Sequence, residues 1–316
     1  IIEFRHPCRE CHTSIKSRHF PFQDTNMKKL FSVLFSASVL TLTACGKQEA
    51  PKTETTEAKA GAEQTVVMAS TGSDADIWRY IATLPETKAA GIKLEVKNFT
   101  DYVAMNTAVA NKEVDINAFQ SYAYLVAFNE SNKDKIAPIS TTYLEPMGIY
   151  STKVKKVEDF AQGATIAIPN DGANESRALL LLQSAGLVKL KDGFDTVKGT
   201  PADITENTKK IVIKPIQMAT AVRAKDEVDA IILGNTLAME GGLNVLKDSI
   251  YYEPTDQSTK MNVNVLAVAE SRKDDAVLKK VGELYHVAAV GKYVQEHFGG
   301  TKIDVNKPVS YLTESK

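Results

Sequence analysis

The chain has 316 residues, with 38 Lys and Arg against 39 Asp and Glu, a formal net charge of −1 and three cysteines. That balance offers no basic surface to nucleic acid, and basic residues are not interleaved with aromatic ones as such binding requires. The cysteines are Cys8, Cys11 and Cys45, so everything beyond Cys45 lacks a disulfide framework and thiolate metal sites, while its length allows two modest domains or one large one.

Residues 1–26 show no periodic apolar pattern. Cys8 to His12 has the C-x-x-C-H spacing of c-type haem attachment and, with His6 or His19, could be drawn as a zinc site. The motif lies upstream of a secretory signal pattern, and processing would discard it. Residues 1–26 are therefore read as an upstream or non-native leader. The signal pattern, residues 27–44, opens on Met27, Lys28 and Lys29, continues through mostly apolar or small residues from Leu30 to Leu42, and closes on Leu42-Thr43-Ala44-Cys45. It is too short to span a membrane. Gly46 to Gln64 lacks any large apolar side chain and reads as a flexible tether. Beyond it only His286 and His297 remain of the five histidines, so no metal or cofactor is expected.

The folded body begins at Thr65. Thr65 to Ala69 reads as a buried strand, and Ile77, Trp78, Ile81 and Leu84 recur at helical spacing. Trp78, the single Trp, belongs to that core face or leans into a pocket. A strand over Ile92 to Phe99, a helix over Tyr102 to Ala110, a strand ending at Phe119 and a helix over Tyr122 to Phe128 follow. Ile136 to Tyr150 is extended, with breaks expected at Pro138 and Pro146. Strands alternating with helices indicate an α/β fold with mostly parallel sheet.

Past Lys153 the pattern restarts. It predicts a helix over Val157 to Gln162, a strand over Thr165 to Ile168, and a helix from Asn174 that stops near Gly186. A polar connection, a helix over Pro201 to Asn207 and a strand over Lys210 to Ile216 come next. Thr107 to Asp115 is echoed by Thr220 to Asp229, each a helix tail, a charged turn and an aspartate opening a strand. The echo suggests two lobes, expected at 65–150 plus 245–316 and at 151–244. Met261 to Ala269 alternates as a strand with Asn262 and Asn264 on one face. A helix over Asp274 to Tyr293 and a polar tail end the chain.

Polar recognition groups gather at strand ends: Asn117, Phe119 and Gln120; Asn170, Asn174 and Arg177; Asn235; and Asn264. Ligands of open α/β sheets bind beyond the carboxyl ends of strands. The turn before Arg177 aims backbone N–H groups and a helix dipole at one spot suited to an anion. No Ser/His/Asp set, cysteine nucleophile, P-loop or G-x-G-x-x-G occurs among these residues, which favours binding over catalysis.

Leu42-Thr43-Ala44-Cys45 resembles the lipobox of bacterial lipoproteins, which implies lipidation of Cys45 and cleavage before it. Phe99 to Tyr102, Glu113 to Gln120, Pro169 to Arg177, Val228 and Asp229 with Gly234 and Asn235, and Val263 to Val265 together resemble the methionine-binding lipoprotein family of NlpA type. The resemblance implies a two-lobed periplasmic-binding-protein fold of type II-like form, each lobe a mostly parallel sheet flanked by helices, with the ligand between lobes. It implies a lipid-anchored, non-enzymatic receptor on the outer side of a bacterial membrane that delivers methionine to an ABC permease and ATPase complex. Carried over, Arg177 clamps the ligand carboxylate, Asn174, Asn235 and Asn264 bond its amino and carboxylate groups, and Tyr102 and Phe119 line the side-chain pocket. Ser121 stands where the family usually has His, and Ala104-Met105-Asn106 and Leu233 to Ala238 also depart from its pattern. These departures leave open another small amino acid or a methionine-containing dipeptide, or a non-transport envelope lipoprotein.

Overall fold

Alternating strands and helices build two five-stranded sheets in the computed structural model, which describes residues 63–314, all within one compact unit, Ala58–Lys316. The leader, the signal pattern, Cys45 and the tether up to residue 62 lie outside the described residues, and Gln64, expected as the end of the tether, instead opens the first strand. The first sheet holds β1 (Gln64–Ser70), β2 (Ile92–Asn98), β3 (Ile116–Ser121) and β4 (Ile136–Thr141). The second holds β5 (Met147–Tyr150), β6 (Thr165–Pro169), β7 (Val212–Ile216), β8 (Ala230–Gly234) and β9 (Tyr251–Tyr252). The chain then returns to the first sheet as β10 (Asn264–Ala269).

The strand orders are β2-β1-β3-β10-β4 and β7-β6-β8-β5-β9. In each sheet three parallel strands are followed by one antiparallel strand, β10 or β5, and then by an edge strand, β4 or β9, that pairs antiparallel with it. The second sheet takes in β5 and β9, which lie on either side of the 151–244 span expected for the second lobe. Apolar residues fill both faces of each sheet. Leu266 and Val268 of β10 join one core cluster, while Val265 and Ala267 join another, so every residue of that strand is buried. Trp78 is core, packed against Tyr285.

The sequence echo has a structural counterpart. The Asp115 carboxylate accepts from the backbone N–H of Val67 at 2.7 Å, and that of Asp229 accepts from Thr165 N–H at 2.8 Å. Each aspartate immediately precedes a strand, β3 or β8, and ties it to the parallel strand beside it, β1 or β6. Each also meets a cation, Arg272 beside Asp115 and Lys153 beside Asp229.

Four expectations are corrected. Val157 to Gln162 forms only a short 3-10 turn, Val157–Asp159, because Val157 and Phe160 both plunge into the second core and the chain must re-enter the sheet at Thr165. Pro201 to Asn207 forms a 3-10 turn, Pro201–Asp203, closed by a Thr200–Asp203 capping box. Its β-branched sequel, Ile204–Glu206, pairs with Lys189–Leu190 instead of continuing as helix. Pro138 does not break its strand: β4 is an edge, and the β10 register shifts where Pro138 pairs with Ala267, which a residue without an N–H tolerates.

The fourth correction concerns the last long helix, which is two helices, Ala276–Tyr285 and Ala288–Phe298. His286 caps the first, and its ring turns inward with Nδ1 2.8 Å from Asp304 Oδ1 and Nε2 3.0 Å from the Thr141 carbonyl. Both ring nitrogens face acceptors, an arrangement that satisfies the imidazolium. Burial opposes that charge, but the hydrogen bond and charge of Asp304 outweigh it, and the His286 pKa is raised. The sign follows: this contribution is fully present below about pH 6.5 and is lost as pH rises through the raised folded value. Asp304 is mostly exposed, which weakens the pair through solvent. His286→Gln is expected to lower the melting temperature by about 1–4 °C below neutrality, the shift that roughly 0.5–1 kcal/mol makes in a domain of this size, and to change it little at alkaline pH. Melting curves taken across that range check this.

Candidate functional site

The chain crosses from the first sheet to the second through residues 142–146 and returns through 253–263. Beside these crossings lies a small cleft with a cavity of about 60 Å³. Tyr102, Phe119, Gln120, Ser121, Tyr124 and Asn264 line it from the first lobe, and Asn174, Arg177, Thr236 and Leu237 from the second. Asp74 and Glu145 also reach its wall.

The second-lobe wall begins with a helix start. Asp171 caps the helix Gly172–Ser184 by accepting from the backbone N–H of Asn174, the favoured chemistry at an N-cap. The Asn174 side chain donates to the same Asp171 oxygen at 2.8 Å. In the second turn of that helix, Arg177 is 7% exposed. Its Nε lies 2.9 and 3.0 Å from the two Glu253 carboxylate oxygens, and Nη2 donates to Glu253 at 2.6 Å and to the Glu145 carbonyl at 2.8 Å. The guanidinium thus holds both crossings at once. Nη1 makes no hydrogen bond among the described residues. Burial disfavours the charge of Arg177, yet Glu253 more than compensates and its pKa is raised.

A second buried cation, Lys302, closes the floor. Its ammonium donates to Asp74 at 2.8 Å, Glu145 at 2.6 Å and Thr236 at 2.8 Å, with the Tyr143 ring 4.1 Å away. Burial pushes the Glu145 carboxyl up, but the charge and hydrogen bond of Lys302 outweigh it and hold the pKa below the usual range. For Asp74 burial wins and the pKa is raised. Asn235 is fully buried, and its amide nitrogen donates to Glu145 and Thr301. Its Oδ1 has no partner among the described residues.

The first-lobe wall is aromatic. Tyr102, Phe119 and Tyr124 form a triangle with ring centroids 5.3–6.3 Å apart, two of the three contacts edge-on, a favourable geometry. Burial pushes the Tyr102 and Tyr124 hydroxyls up, so both stay neutral. Ser121 caps the helix Tyr122–Ser131 by accepting from Tyr124 N–H. With its amide turned to suit its neighbours, Asn264 donates to the Phe119 and Gln120 carbonyls at 3.2 Å each. Asn117 and Gln120 form a buried amide network with Asn106; Gln120 alone of these three reaches the cleft.

Five of the six expected ligand-binding side chains, Arg177, Asn174, Asn264, Tyr102 and Phe119, therefore line one cleft, and Asn235 sits behind its wall. Asp74, Glu145, Glu253, Lys302, Thr236 and Tyr124 escaped the sequence reading. Only Glu145, a charge between Leu144 and Pro146 in an apolar run, carried a local signal. Among the described residues no cluster of His, Cys, Asp and Glu is placed to hold a metal.

The NlpA lipoprotein family model matches residues 66–306. The chain belongs to that family. It is 33% identical to the methionine-binding lipoprotein MetQ of Bacillus subtilis over 89% of this chain and all of the relative. A solved nutrient-binding protein from Burkholderia cenocepacia, bound to methionine, is 33% identical with a TM-score of 0.72, covering 76% of this chain and 99% of that one. The substrate-binding protein of a methionine transporter from Streptococcus pneumoniae is 37% identical with a TM-score of 0.70, covering 76% and 95%. The two-lobed arrangement is thus the substrate-binding-protein fold of these relatives.

Truncating Lys302 strands two buried carboxylates. Lys302→Met is expected to destabilise the fold by about 3–5 kcal/mol, the usual cost of removing one partner from a buried ionic group. Urea denaturation measures it, and a loss under 1 kcal/mol would contradict the role given to Lys302.

Proposed function

We propose that this chain is a lipid-anchored solute receptor that captures methionine, or a close relative, in the interlobe cleft and delivers it to an ABC importer. The observation that carries the reading is Arg177, a residue of the cleft wall held rigidly by Glu253 and Glu145, with one nitrogen, Nη1, making no hydrogen bond among the described residues. A planar donor fixed in this way suits a carboxylate. Asn264, its nitrogen already engaged, supplies an acceptor for an amino group, Asn174 supplies the rim, and Asn235 backs the wall through its bond to Glu145. The aromatic triangle suits a thioether, at about 0.3–1.5 kcal/mol per contact. The names of the relatives above support both methionine and the transporter. The chemistry is binding, and the reading needs no cofactor.

One observation favours a variant of this reading. Ser121, a smaller side chain than the His expected at this position, lines the cleft, and its hydroxyl accepts a helix-cap hydrogen bond. That favours a different small amino acid or a methionine-containing dipeptide, and thermal-shift screening separates the cases because a tight ligand stabilises the fold by mass action.

Arg177→Met is expected to weaken methionine binding by about 2–4 kcal/mol and to destabilise the fold by leaving Glu253 buried and unpaired. Adding Glu253→Gln is expected to restore much of the stability but not the affinity. Calorimetry showing wild-type affinity in either variant would refute the clamp. For the anchor, Cys45→Ser in the secreting cell is expected to move the protein from the detergent to the aqueous phase on partitioning, since lipidation of that thiol supplies the membrane affinity; retention in detergent would exclude Cys45 as the anchor.

A further inference from the structure

We infer that Asp74 is the counter-ion for the ligand's ammonium group, so that the cleft selects amines bearing a carboxylate over the plain carboxylic acids of the same shape. The inference rests on the amino-acid reading of the cleft and adds the residue that reads the positive charge. Three buried carboxylates, Asp74, Glu145 and Glu253, meet two buried cations, Arg177 and Lys302. Glu253 is matched by Arg177, whereas Asp74 and Glu145 share Lys302. Of that pair Glu145 is the better satisfied, taking bonds from Lys302, Asn235 and Thr236.

Asp74 is the residue left short. Its Oδ1 accepts from Lys302 and more distantly from Thr236, while Oδ2 accepts no hydrogen bond among the described residues. The Tyr143 hydroxyl lies close by but outside hydrogen-bonding geometry. Asp74 is 2% exposed, and what surface it keeps is cleft wall. A buried carboxylate with an unmatched oxygen is costly, and burial already outweighs Lys302 in raising its pKa. A cation arriving in the cleft removes that cost.

The approach to the cleft has the same sign. Asp101, Asp171 and Glu240 line an adjoining hollow that shares Tyr102, Tyr124 and Leu237 with the cleft, and no Lys, Arg or His is among the described residues that line it. A concave entrance of one sign concentrates the opposite charge. Without a counter-charge of its own, a bare carboxylate must pass this field to reach Arg177, whereas a zwitterion carries its ammonium toward Asp74.

Calorimetric titration of the full chain with L-methionine and with its des-amino counterpart, the methylthio-substituted butanoate, tests this. Wild-type protein is expected to favour methionine by about 100-fold or more, the scale of a close desolvated charge pair. In Asp74→Asn, confirmed as folded by thermal melting, that preference is expected to fall below about 10-fold. A folded Asp74→Asn that loses affinity for both ligands in step has merely lost structure around Lys302, and that result overturns the inference. Should the variant fail to fold, equal wild-type affinity for the two ligands overturns it as well. Wild-type protein that binds neither ligand removes the amino-acid reading itself, and the inference with it, an outcome distinct from binding both equally.

Discussion

The architecture turns on a buried guanidinium. Arg177 takes the Glu253 carboxylate with Nε and Nη2 and the Glu145 carbonyl with Nη2, and these two residues sit on the two stretches of chain that join the lobes. The Met147 backbone N–H also donates to Glu253 at 2.8 Å, so the crossings are tied to each other as well as to the helix that carries Arg177. A charge removed from water costs several kcal/mol unless geometry and hydrogen bonding compensate it, and here every Glu253 oxygen is engaged. Position follows from that saturation: the arginine has little freedom to move, which is what a recognition group needs.

Lys302 plays the complementary part from the other side. It arrives on the segment just before Ile303–Asp304, which pairs with Tyr143–Leu144 beside the outgoing crossing. His286 bonds both Asp304 and Thr141, so the C-terminal segment is pinned where its ammonium must reach Asp74 and Glu145. Structural and recognition roles are therefore hard to separate in this cleft. The same carboxylates that anchor the cation beneath the floor form part of the wall a ligand meets, and the aromatic triangle opposite them makes the cleft amphipathic, polar at one end and apolar at the other. An amino acid with an apolar side chain has that same division.

How far local sequence carries can be judged from particular elements. Gln64–Ser70, Ile92–Asn98 and Tyr102–Ala110 were legible because their apolar periodicity and their flanking breakers agree. The paired aspartates Asp115 and Asp229 were legible as an echo, and their identical bonds to Val67 and Thr165 give that echo a cause. The helix expected over Asp274 to Tyr293 failed at His286, whose side chain prefers two distant acceptors to a helical continuation. The helix expected over Pro201 to Asn207 failed because a strand partner lay at Lys189–Leu190. In both, tertiary partners overrode propensity.

What the sequence determined by itself is the α/β alternation, the family, and five side chains that converge on one cleft, because strand ends marked by Asn, Arg and aromatic residues must meet where parallel strands end. What only the tertiary structure decided is the charge network around them. Asp74, Glu253 and Lys302 look like ordinary surface charges in their local context, and Glu145 stands out only as a charge in an apolar run. Their pairing spans up to 228 residues of chain, from Asp74 to Lys302, and no periodicity or motif encodes a contact of that range. Burial turns these four from solvated charges into the determinants of the cleft's electrostatics, and burial is a property of the folded chain.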